Sequence, residues 1–245
     1  MSETKTALIT GAAGPMGKAA AEGLAEDGVR IVLADIRREP LEERASQLPT
    51  ETYVCAFDIS DEEACKQAVA QIENEFGTVD ILVNNAGILS NNKLMSTSAE
   101  EWHRVLAVNL DGAFYLTQAC VPPMKAKGWG RIINVSSFAA KCGGITAGTA
   151  YSVSKGALNA LTFSVAAETA ETGITVNAIV PAYVRTPMVE EQLTAEQRAA
   201  VIRKIPVKRY CEPEEFAHVV RFLASPQAGF ITGELVDLNG GLQFD

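Results

Sequence analysis

Seven short apolar, β-rich runs recur along this 245-residue chain, each parted from the next by a stretch of helical character. They cover residues 6–10, 30–34, 52–56, 81–84, 131–136, 175–180 and 235–238. Their hydrophobicity is nearly continuous instead of alternating, which suits strands covered on both faces. Such strands alternating with helices define a doubly wound α/β fold, here a seven-stranded parallel sheet with helices on both sides. At 47% hydrophobic residues the chain can bury one large core. No repeat, low-complexity segment or linker divides it, so 1–245 is read as a single domain.

Cap signals mark several helices. Ser60 and Glu63 stand at capping-box spacing before a helix expected to end near Gly77. Ser98 and Glu101 repeat the signal ahead of a helix expected to pass Asn109 toward Pro122. Pro213 opens a late helix at the position where a missing N–H costs least. The segment 186–209, a helical patch flanked by Pro187 and Pro206 with few core-type residues, reads as a substrate lid or as an ordinary surface helix.

Composition narrows the function classes. A formal charge of −9 disfavours a nucleic-acid partner, which needs a basic surface to displace counterions. Two histidines, and five cysteines without metal-ligand spacing, imply free thiols and no metal. No run of eighteen apolar residues and no secretory signal pattern is present, so the expectation is a cytoplasmic protein that does not enter a membrane.

The first run leads into Thr10-Gly11-Ala12-Ala13-Gly14-Pro15-Met16-Gly17 and then an alanine-rich helix. Strand, glycine turn and helix in that order form a dinucleotide site: unpaired N–H groups and the positive helix end favour a pyrophosphate, and glycines let the backbone approach it. Asp35 ends the second run, where a carboxylate accepts from both ribose hydroxyls and repels a 2′-phosphate, which favours NAD over NADP. Arg37 and Arg38 just beyond it read either as solvated residues at a helix start or as partners for a 2′-phosphate. Asp58, after the third run, reads as an acceptor for an adenine amino group or as the start of the next helix.

Tyr151 and Lys155 stand one helical turn apart, placing a phenol and an ammonium on one helix face. A fixed cation stabilises a phenolate, so the spacing predicts a Tyr151 pKa brought down toward the range of a general acid/base.

Along nearly its whole length the chain resembles the short-chain dehydrogenase/reductase family, single-domain enzymes of the Rossmann type. The resemblance rests on the glycine turn at 10–17, Asn84-Asn85-Ala86-Gly87, Asn109, Ser136-Ser137, Tyr151-xxx-Lys155 and Pro181-xxxx-Thr186, all in family order. It implies an alcohol/carbonyl oxidoreductase using a nicotinamide cofactor. Tyr151 would exchange a proton with the substrate oxygen, Ser137 would hydrogen-bond that oxygen, and Lys155 would hold the nicotinamide ribose and lower the tyrosine pKa. Asn109 would hold a water through a local helix distortion. The cofactor would contact Gly11, Gly14, Pro15, Met16, Gly17, Asp35, Ile36, Asp58, Ile59, Asn85, Ala86, Gly87, Tyr151, Lys155, Pro181, Val184 and Thr186.

Three positions depart from the family pattern. Pro15 replaces the middle turn glycine and removes one N–H, although Met16 and Gly17 still offer donors. Ser137 precedes Tyr151 by fourteen residues where thirteen is commoner, and Ala182 replaces a glycine. Substrate contacts are expected from Ser137, Phe138, Lys141, Tyr151, Tyr183 and Met188 at the carboxyl ends of the strands, with Lys141 a candidate for an anionic group. The resemblance also implies a homotetramer or homodimer, which small residues Gly156, Ala157, Ala160 and Ser164 would permit. An NADPH-dependent 3-oxoacyl reductase and a catalytically idle NAD(H)-binding protein are the competing readings.

Overall fold

The computed structural model describes residues 4–186 and 194–244. Seven strands, β1 (Thr6–Thr10), β2 (Arg30–Asp35), β3 (Thr52–Ala56), β4 (Ile81–Asn84), β5 (Gly130–Val135), β6 (Ile174–Pro181) and β7 (Leu235–Leu238), form one sheet in the order β3-β2-β1-β4-β5-β6-β7. Every pairing is parallel, with Ile9 opposite Leu33 on one side and Val83 on the other. The first three strands run outward from β1 in one direction and the last four in the other. That reversal at β1/β4 opens a crevice beyond their carboxyl ends.

Helices cover both faces. On one side α1 (Pro15–Glu26) packs against a late helix, α9 (Pro213–Ala224), over Ile9, Leu33, Val83 and Ile133. On the other, α3 (Glu62–Glu75) and α5 (Gly112–Lys127) pack over Leu8, Val32, Leu82 and Ile132. Successive strand residues point to opposite faces, so both faces of β1, β2, β4 and β5 had to be apolar. Each fully buried Leu, Ile or Val contributes about 1.5–3 kcal/mol.

Three sequence expectations change in detail. Asp61, not Ser60, caps α3 by accepting from Ala64 N at 3.0 Å; Ser60 instead donates to Asp58 Oδ1 at 2.7 Å. Ser98 does cap α4 (Ala99–Leu106), but the Glu101 carboxylate turns outward to Asn92 and Ser90 instead of completing a box. From α4 the helix passes through a π-helical segment, Ala107–Asp111, into α5, and continues past Pro122 and Pro123 to Lys127. There Gly128 takes the left-handed conformation that ends it.

The remaining helices are α2 (Arg38–Ala45), α6 (Ala139–Cys142), α7 (Thr149–Thr169) and α8 (Ala195–Lys204). Thr194 and Gln197 form a capping box at the start of α8. Part of the expected lid, with Pro187, Met188 and Val189, lies outside the described residues. No helix among the described residues is long and apolar enough to cross a membrane.

Candidate active site

The nucleotide half grows from the end of β1. Thr10 Oγ1 accepts from Asn85 N and Ala86 N, both at 3.0 Å, and Asn85 Nδ2 donates back to Thr10 O at 2.8 Å. These bonds lash the Asn84–Gly87 motif to the glycine turn, a supporting role for Asn85 that adds to its exposure toward the crevice. Gly11 has φ +64, and a Cβ there would lie 2.9 Å from Ala86 Cα. At Gly17 a Cβ would land on the Gly11 carbonyl oxygen and 2.8 Å from Ala12 Cα. Both positions therefore require glycine.

Within the turn, Ala12 N donates to Ala34 O, Gly14 N to Gly11 O and Ala13 N to Asp35 Oδ2. Pro15, at the first helical position, has no N–H. The amides of Met16 and Gly17 then head α1 at the positive end of the helix dipole. Asp35 closes β2 with its side chain 14% exposed; Arg37 N donates to its Oδ1 at 3.2 Å, while the Arg37 guanidinium lies 3.9 Å away and mostly in solvent. Arg38 pairs with Glu42 on its own helix. Ile36 is exposed beside Asp35, whereas Ile59 is a core residue packed against Gly112. Asp58 is exposed and its Oδ1 serves Ser60. Helix-end amides, a carboxylate at the neighbouring strand end and glycines at the closest approach together fit a dinucleotide.

The catalytic half is built from β4, β5, the π segment and α7. Lys155 is 3% exposed, and its Nζ donates to Val135 O at 2.7 Å and lies 5.9 Å from the Tyr151 ring centroid. The Ser137 hydroxyl hydrogen-bonds the Tyr151 phenol and accepts from Ala139 N. Ser136 is committed elsewhere, its Oγ donating to Lys155 O. Asn109 sits at the π distortion, 1% exposed, with Nδ2 donating to Ile88 O and Ser154 Oγ and Oδ1 accepting from Ile88 N at 2.8 Å. A Cβ on Gly87 would lie 3.2 Å from Asn109 Oδ1 and 3.3 Å from Lys155 Nζ, so a side chain at that position would crowd both groups.

Electrostatics correct one expectation. Burial pushes the Tyr151 phenol above its ordinary value, and the Ser137 hydrogen bond only opposes that shift. Burial also pushes the Lys155 ammonium down, to about 8. Desolvation by the surrounding protein is the largest influence on both groups.

A cavity of about 470 Å³ joins the two halves. Met16, Gly87, Ser137, Tyr151, Lys155, Pro181, Val184 and Thr186 line it, with Phe138 and Tyr183 on its apolar wall. Between Ser137 and Tyr151 the chain turns at Gly143 and Gly144, which take φ +75 and +78. Lys93 Nζ then braces the loop through Gly144 O and Ala147 O. Lys141 does not reach the cavity. On the single turn α6, Phe138, Ala139 and Cys142 face it while Lys141 points to β7 and pairs with Asp237 at 2.7 Å. Met188 lies outside the described residues.

Sequence reasoning missed Gln197, which α8 brings to the cavity wall, and Arg44, whose guanidinium holds the glycine turn from behind. Arg44 stands three positions after Leu41, the buried residue of α2, and that spacing was the available signal.

Comparison with known proteins adds three findings. A family profile described as enoyl-(acyl carrier protein) reductase matches residues 11–243. The nodulation protein G of Azospirillum brasilense is 42% identical over 246 residues, and a 3-oxoacyl-(acyl-carrier-protein) reductase of Vibrio cholerae 39% over 241, each covering 98% of both chains. A crystal structure from Brucella melitensis, described as a short-chain dehydrogenase/reductase of the glucose/ribitol dehydrogenase kind, superposes with a TM-score of 0.92 at 33% identity, covering 99% of this chain and 98% of that one.

Proposed function

The chain belongs to the short-chain dehydrogenase/reductase family of oxidoreductases, and on that footing we propose that it interconverts a secondary alcohol and a ketone with NAD as its preferred cofactor. The observation that carries the reading is the convergence of Ser137, Tyr151 and Lys155 on one cavity that Met16 at the head of α1 also lines. A bound nicotinamide ring supplies or accepts the hydride. Ser137 orients the substrate oxygen toward the Tyr151 hydroxyl, which gives a proton to that oxygen in reduction and takes it in oxidation. The raised phenol pKa keeps that proton in place at neutral pH, so oxidation should speed up as pH rises. Lys155, held by Val135 O, would hold the nicotinamide ribose, and Asn109 braces the Ile88 backbone.

Asp35 supports NAD, since a 2′-phosphate would meet its carboxylate at the end of β2. The second reading, an NADPH-dependent 3-oxoacyl-type carbonyl reductase, draws on the description of the Vibrio cholerae relative. The apolar wall of Leu89, Phe138, Ile145 and Tyr183 suits a substrate with a hydrophobic body. On the outside, Phe114 of α5 and Val153 and Phe163 of α7 are exposed, apolar surface suited to a second copy in a homodimer or homotetramer. Absorbance at 340 nm, followed with secondary alcohols, ketones and 3-oxoacyl thioesters and with each cofactor, tests the reading. We expect turnover at least about tenfold faster with NAD(H). Preference for NADPH with a 3-oxoacyl thioester would replace it with the second.

A further inference from the structure

We propose that Arg44 is a positioning residue of the dinucleotide site, fixing the glycine turn so that Asp35 and the first amides of α1 present themselves to the cofactor. The inference rests on the nucleotide-site reading and extends it to a helix that reading leaves out. The Arg44 guanidinium donates to Ala12 O at 2.5 Å, Ala13 O at 2.7 Å and Gly14 O at 2.9 Å, three consecutive carbonyls about thirty residues earlier in the chain.

A trans peptide carries its C=O and its N–H on opposite sides, so holding the carbonyl aims the N–H. Holding the Ala12 carbonyl aims Ala13 N at Asp35 Oδ2, and holding the Ala13 carbonyl aims Gly14 N at Gly11 O. The Gly14–Pro15 peptide has no N–H by which it could be anchored. Its carbonyl is fixed by Arg44 on one side and by Lys18 N, the first bond of α1, on the other. Arg44 thus acts at the place where proline removes a donor from the turn. Leu41 is the buried residue of α2, and the Arg44 guanidinium ties that helix to the turn through its three bonds. Glu22, Asp35 and Glu43 surround it with negative charge and Arg37 with positive, while burial lowers its pKa.

Three charge-assisted bonds from one rigid fork are not reproduced by a single ammonium. NADH binding to the full chain, measured by nicotinamide fluorescence, is therefore compared in Arg44→Met, Arg44→Lys and the control Arg38→Met. The expected result is a Kd raised about tenfold or more in Arg44→Met, less in Arg44→Lys, and unchanged in Arg38→Met. In turnover, KM for NAD rises while kcat at saturating NAD holds within about threefold. If Arg44→Met does not fold, Arg44→Lys carries the test. A Kd within twofold of the parent overturns the proposal, whether or not the melting temperature falls. So does an equal loss in kcat with KM unchanged. Because binding is read without turnover, the proposal survives failure of the assigned reaction and fails on its own account.

Discussion

Replacing Asp35 by serine should invert the cofactor preference, and the size of the change follows from the site. Both carboxylate oxygens already accept one backbone N–H, Oδ2 from Ala13 and Oδ1 from Arg37, so the anion is fixed in place and cannot swing away from a ligand. Its side chain is 14% exposed and the nearby Arg37 guanidinium is 66% exposed, so the compensating cation is well screened. A phosphomonoester of about −1.5 to −2 charge roughly 5 Å away, at an effective dielectric between about 40 and 80, is repelled by about 1–3 kcal/mol. That corresponds to a discrimination of roughly 5- to 150-fold against the 2′-phosphate. Serine removes this repulsion and also the charge-assisted bonds to the ribose diol, worth about 1.5–3 kcal/mol together. In Asp35→Ser the Kd for NADH should rise about tenfold or more and that for NADPH fall about tenfold, a combined change near 100-fold. Fluorescence titration of the reduced cofactors reads both values. A parent protein that binds NADPH as tightly as NADH, or a ratio moved less than threefold by the substitution, refutes the electrostatic argument.

Further outcomes follow from contacts described above. Gly17→Ala forces a Cβ onto Gly11 O, so urea unfolding should show about 1–3 kcal/mol of destabilisation together with weakened NADH binding; a loss below about 0.5 kcal/mol would mean that the turn yields freely. Lys141→Ala leaves Asp237 of β7 without its lysine partner and should cost about 1–2 kcal/mol while substrate KM stays within twofold. A KM rising for anionic alcohols alone would place Lys141 at the substrate after all. Lys155, depressed to about 8 when folded against about 10.4 unfolded, binds fewer protons in the native state between those values. Its burial penalty is complete below pH 8 and is relieved as pH rises, so the protein should gain on the order of 2 kcal/mol from pH 7 to 9.5. Lys155→Met should abolish that gain, and identical pH profiles for parent and variant contradict the buried-lysine assignment.

The sheet was legible because its central strands are buried on both faces, and the nearly continuous hydrophobicity of β1, β2, β4, β5 and β6 is the direct imprint of that burial. Strand ends shifted by a residue where pairing outlasts the apolar run, as at Asp35 opposite Ala56 and Pro181 opposite Leu238. The α3 cap slipped because Asp58, Ser60 and Asp61 all compete as acceptors, and only the backbone direction decides among them. Lys141 was misplaced because one helical turn has too few residues to reveal its inner face. The direction of the Tyr151 shift depends on desolvation by residues distant in the chain, which no local spacing records. Arg44 was hidden for a related reason: backbone carbonyls accept its bonds, and carbonyls leave no trace in residue identity.

The central claim is that the Tyr151 hydroxyl exchanges a proton with a substrate oxygen beside a bound nicotinamide. Tyr151→Phe removes only that oxygen, and reduced-cofactor absorbance with the fastest alcohol from the panel, alongside NADH affinity, measures its share. The account predicts at least about a hundredfold loss of kcat with the NADH Kd within threefold of the parent. Turnover within a few fold of the parent, at unchanged cofactor affinity, would contradict it.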